Sequence, residues 1–101
     1  MNFLFLHFLG VLNNLTYLET LSMSGNKLED KIFFGEGYTL GHLPNLTILE
    51  LDGNKFTKLP VEQLVLHDRL KKLNVENNEI TKYSPELTEM VKLGLDIEYA
   101  G

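Results

Sequence analysis

Asp52, Glu76 and Asp96 each stand three residues beyond an apolar position that recurs along the chain, and carboxylate oxygens are the ligands a hard cation such as calcium prefers. Without further oxygen ligands such a row binds weakly, and nearby lysines neutralise it, so no metal is expected. His7, His42 and His67 fall in unrelated contexts: an apolar leader, a turn ahead of Leu43-Pro44, and an otherwise leucine position. The last reads as a partly buried filler rather than a general base. The chain has no cysteine, no Gly-x-Ser-x-Gly elbow and no His-x-x-x-His pair, which removes the usual nucleophiles and zinc ligands. Gly35-Glu36-Gly37 lacks the third glycine and the lysine of a phosphate loop. No enzyme and no cofactor is expected. The remaining chemical signal is modification: Asn14-Leu15-Thr16 and Asn45-Leu46-Thr47 are acceptor sequences for N-linked sugar.

The elements that position these residues come from a repeated frame, Leu-x-x-Leu-x-x-Leu-x-Leu-x-x-Asn-x-Leu. Its first copy is Leu15, Leu18, Leu21, Met23, Asn26, Leu28; its second is Leu43, Leu46, Leu49, Leu51, Asn54, Phe56; its third is His67, Leu70, Leu73, Val75, Asn78, Ile80. A looser fourth copy runs Leu87, Met90, Leu93, Leu95, Glu98, Ala100, with Glu98 in the asparagine position. The central Leu-x-Leu of each copy alternates apolar with polar, as a half-buried strand does. One such strand cannot close a core alone, so the copies must stack in parallel and share one interior. Asn26, Asn54 and Asn78 follow the strands at one offset. An amide supplies both donors and an acceptor, so a buried ladder of them would satisfy backbone groups where the chain turns away.

This frame resembles the leucine-rich repeat family over roughly residues 12–100, with about four repeats. Asn54-Lys55-Phe56-Thr57-Lys58-Leu59-Pro60 followed by Leu64 is similar to the "typical" subclass found in extracellular receptors and matrix proteins. The resemblance implies an α/β right-handed solenoid: a horseshoe arc with a short parallel sheet on its concave face, irregular or short helical convex segments, and a macromolecule bound on the sheet. Against that pattern the first repeat carries about four extra residues within 29–39, and the third is about four short, so Tyr83-Ser84-Pro85 should return by a tighter connection. Phe33, Phe34 and Tyr38 in the longer loop either pack beneath it or form a binding knob.

Two segments are expected: an apolar stretch over 1–11, an incomplete terminal repeat or a signal remnant, and a repeat domain over 12–101. A solenoid this short is near the lower limit for burying enough surface, and it needs covered ends. Without cysteine, those ends belong to a longer array, meet another copy as a homodimer, or suit a reducing compartment. The net charge of -5 is spread evenly, and no basic stripe offers itself to nucleic acid. No stretch approaches the roughly 18 unbroken apolar residues of a membrane span.

Register assigns the outward positions of the sheet. One column reads Thr20, Ile48, Lys72, Lys92; the next reads Ser22, Glu50, Asn74, Gly94; the third reads Ser24, Asp52, Glu76, Asp96. Lysines would then line one edge and carboxylates the other, either as a recognition surface for a protein partner or simply as a soluble face. The paired sequons and apolar leader favour a secreted or extracellular recognition module of the innate-immune kind. The lack of cysteine favours an intracellular adaptor or regulatory subunit, and the uncapped ends favour a homodimerising fragment.

Overall fold

In the computed structural model, which describes residues 17–34 and 43–99, four three-residue strands line up in sequence order: β1 Thr20–Ser22, β2 Ile48–Glu50, β3 Lys72–Asn74 and β4 Asp96–Glu98. Each pairs in parallel with the next. Parallel neighbours require a crossover, and among the described residues the helical stretches in these crossovers are α1 Lys31–Phe34, α2 Val61–Leu64 and α3 Pro85–Lys92.

The alternation of the frame explains which side is buried. Leu21, Leu49 and Leu73 stand opposite one another across β1, β2 and β3, and none is more than 1% exposed. Met23, Leu51, Val75 and Phe56 add a second buried layer, and α2 and α3 close it with Leu64 and Leu87. The polar residues between them face the other way, with Ser22 buried and Glu50 and Asn74 half-buried.

The fourth repeat departs from the expected register. Leu73 pairs with Ile97, not with Leu93, and Leu93 is 85% exposed at the end of α3. The cause lies at Ser84-Pro85. Ser84 Oγ accepts the backbone N–H of Leu87 at 3.3 Å, and proline at the first helical position lacks only an N–H that would have had no partner there. Leu87 and Met90 then turn inward at helical spacing. Their spacing fitted the strand frame because three residues is a step common to both patterns. The chain therefore makes a helix where a tight return was expected, and the strand begins four residues later. Strand centres fall at 49, 73 and 97, so the third repeat is as long as the second. Glu98 lies opposite Asn74 inside the sheet rather than at the asparagine offset.

After each of the first three strands the backbone enters the left-handed region at one equivalent position: Gly25 (φ 69°), Gly53 (φ 69°) and Asn77 (φ 56°). Glycine, and less readily asparagine, accepts that conformation. At Gly53 a Cβ would also meet the Gly25 backbone, 3.2 Å from its nitrogen and 3.3 Å from its Cα. Gly53→Ala is expected to lower unfolding free energy in urea by about 2 kcal/mol. A loss within error would mean that the stacked turns are not held this closely.

Of the longer loop, Ile32 is 1% exposed and anchors α1 in the core. The side chains of Phe33 and Phe34, and Tyr38 with its flanking glycines, lie outside the described residues, as do residues 1–16 and with them Asn14 and the apolar leader.

Candidate recognition surface

Strand pairing fixes the outward columns of the sheet. The first is Thr20, Ile48, Lys72 and Asp96, and the second is Ser22, Glu50, Asn74 and Glu98. Ser24, Asp52 and Glu76 follow immediately after the first three strands. Backbone bonds from Gly25 N–H to Asp52 O (2.9 Å) and from Gly53 N–H to Glu76 O (3.0 Å) keep this third row stacked.

The shifted fourth repeat rewrites the charge pattern. Lys92 is not in the sheet; it sits in the last turn of α3 beside Glu89, at 3.4 Å, with both side chains about two-thirds exposed. A surface pair of that kind contributes little to stability. Gly94 also leaves the sheet, with φ 116° just past the helix. Asp96 moves from the third column to the first, beside Lys72. What had been a lysine edge is thus Lys72 next to a carboxylate, and the outward face gathers Glu50, Asp52, Glu76, Asp96 and Glu98 around that one lysine.

Polar side chains stitch this face from strand to strand. Ser22 Oγ and Ser24 Oγ lie 3.0 Å apart, and Ser24 Oγ donates to Asp52 Oδ1 at 2.7 Å. Asn74 Oδ1 accepts the Glu76 N–H at 3.0 Å. Glu98 holds its proton more tightly than an ordinary glutamate. The first cause is its hydrogen bond with the Glu76 side chain, followed by desolvation and the negative charges of Glu76 and Asp96, with Lys72 acting in the opposite sense.

The sign of the pH effect follows. A raised carboxyl stabilises the fold below the unfolded glutamate value of 4.5, and that contribution is lost as pH rises through the folded value. At pH 7 the two carboxylates repel each other. Glu98→Gln should therefore raise the melting temperature at pH 7, with the gain closing as pH falls toward 4. A difference that did not vary with pH would exclude a carboxyl pair.

The asparagines do a different job. Asn54, 6% exposed, accepts the N–H of Asn26 (3.0 Å) and of Leu28 (2.9 Å) on Oδ1. Its Nδ2 faces the carbonyls of Met23 and Leu51 at 2.9 Å and that of Asp52 at 3.2 Å. Asn78 repeats the pattern one rung on, with Phe56 N–H on Oδ1 and Leu51 O and Val75 O on Nδ2. Asn26 Nδ2 donates to Met23 O at 3.0 Å. Each amide thus ties its own turn, and Asn54 and Asn78 also hold the turn before. The first two turns are further joined by Asp30, whose carboxylate accepts the backbone N–H of Thr57 at 2.8 Å and the Thr57 hydroxyl.

His67 is only 3% exposed. It is no loosely tolerated filler, for both ring nitrogens meet backbone partners, at Leu43 N–H and Gln63 O. Of the two sequons, the Asn45 side chain is half-buried and accepts Arg69 Nη1 at 3.0 Å, and Thr47 Oγ1 donates to Glu19 O.

Sequence reasoning overlooked Glu98 as a surface residue, and it overlooked Tyr99, 47% exposed and edge-on to Tyr83 at 4.9 Å. The signal that would have found both is Ser84-Pro85, a helix start that displaces the last strand. Among the described residues no group of His, Asp and Glu could hold a metal ion, and no helix is long and apolar enough to cross a membrane.

Short parallel strands stacked in sequence order, with leucines inward and asparagines bridging the turns, define a repeat protein in which each unit leans on its neighbour. Two leucine-rich repeat family models match the chain, one over residues 14–32 and one over 45–65. The chain carries leucine-rich repeats over those residues. Such repeats generally mediate protein–protein interaction and are typically non-catalytic. No curated protein and no solved structure matches the chain.

Proposed function

We propose that this chain is a non-catalytic recognition module whose outward sheet face, the concave side of a right-handed arc, binds a basic segment of a protein partner. The observation that carries this reading is the concentration of Glu50, Asp52, Glu76, Asp96 and Glu98 around the single Lys72 on adjacent strands. Clustered carboxylates attract an oppositely charged partner over a distance set by ionic strength. The test compares partners captured by the wild type and by an Asp52→Lys, Glu76→Lys double variant, at low and at physiological salt. Loss of a basic partner from the variant, with weaker capture by the wild type in salt, supports the reading. Identical partner sets would rule out this face.

The proposed setting is extracellular, resting on the sequons at Asn14 and Asn45. Production in a secreting cell followed by enzymatic sugar removal decides it: an unchanged mass would favour an intracellular adaptor instead.

A further inference from the structure

We propose that His67 is a pH-sensitive latch between the second and third repeats, closed only while its imidazole is neutral. The two hydrogen bonds define the protonation state. Gln63 O, 2.8 Å from Nδ1, can only accept, so Nδ1 carries the hydrogen. Leu43 N–H, 3.2 Å from Nε2, can only donate, so Nε2 presents its lone pair. The ring is therefore the neutral Nδ1–H tautomer. A second proton would set two N–H groups against each other in a site walled by Leu43, Leu64 and Leu70, none more than 7% exposed.

The bond sits where it can couple repeats. Leu43 and His67 hold the same place in successive copies of the frame, and each begins the turn leading into its strand, with Leu46 N–H on Leu43 O and Leu70 N–H on His67 O. On the far side of the strands, the Asn78 amide makes the matching tie, and an amide does not titrate. His67 also lines a cleft with Met90, Leu93 and Leu95, which gives protons a path to the ring. Among the described residues, the charged groups bordering the ring are Asp68 from its own turn and Lys71 from the approach to β3, with Arg69 turned to Asn45. The α3 residues of the cleft, and Leu43 to Leu46 before β2, bring no titratable side chain. Asp68 and Lys71 are exposed and of opposite sign.

An unconstrained imidazole takes up its proton near pH 6.5. The opened latch binds that proton more readily than the closed one, so closure is favoured above this value and weakens as pH falls. Amide hydrogen exchange on the full chain tests it, after correction for the intrinsic pH dependence. Protection of Leu43 N–H should drop about tenfold between pH 7.5 and 5.5, while protection of Met23 N–H, bonded to Glu50 O in the first seam, stays level. In His67→Gln, where an amide oxygen can take the same N–H without titrating, the drop should vanish. Equal protection of Leu43 at both pH values in the wild type would overturn the proposal, as would a parallel loss at Met23. Should the variant not fold, the imidazole nitrogen shifts of the wild type decide: an Nε2–H tautomer at pH 7.5 refutes the latch.

Discussion

Asn54→Ala is expected to cost about 3 kcal/mol in unfolding free energy, although the side chain removed is small and polar. Its amide serves five backbone groups in a site 6% exposed, and a buried group left without a partner costs about 1–3 kcal/mol. The alanine side chain offers neither donor nor acceptor. The loss should fall on the first repeat, where the Leu28 N–H loses its acceptor, while Met23 O, Leu51 O and Asp52 O keep bonds from Asn26 Nδ2, Asn78 Nδ2 and Gly25 N–H. Asn26→Ala, which removes the donor bond to Met23 O at 3.0 Å, should cost about 1 kcal/mol. Exposed Lys55→Ala next door should cost under about 0.5 kcal/mol. Chemical denaturation of the three variants checks the order. If Asn54→Ala unfolded at the same urea concentration as Lys55→Ala, the ladder would contribute no stability.

Phe56→Ala is expected to be still more damaging, at about 4 kcal/mol. Phe56 is fully buried, and it heads the largest fully enclosed side chains. Its backbone is also fixed on both sides, with N–H on Asn78 Oδ1 and carbonyl on Glu79 N–H, so the site can collapse only partly around a smaller residue. Because small domains hold about 5–15 kcal/mol in total, the variant should be partly unfolded at 37 °C by circular dichroism. Phe56→Leu restores the leucine of the frame and should recover most of that loss, leaving a deficit under about 1.5 kcal/mol. Equal stability of the alanine and leucine variants would show that this position is not enclosed.

The expectations drawn from the residues met the structure unevenly, for physical reasons. Parallel stacking was legible because Leu21, Leu49 and Leu73 had to be hidden and no single repeat could hide them. The fourth register was not, because Leu87, Met90 and Leu93 satisfy both a strand frame and a helix. Only the capping pair at Ser84-Pro85 separates the two. That displacement carried the surface with it: Lys92 left the sheet, and Asp96 and Glu98 took the places beside Lys72 and Asn74. His67 was misjudged for another reason. Its type and position named it as an odd occupant of an apolar site, but the two backbone groups it serves come from residues 4 and 24 positions away, and only the folded chain brings them together.

The even spacing of strand centres at 49, 73 and 97 makes the second and third units interchangeable in length. A tandem duplication of residues 50–73 would insert a whole period without disturbing the pairing on either side. Growth of the array by unequal crossing-over thus needs no compensating change in the flanking sequence, and each added period widens the area available for recognition by one row.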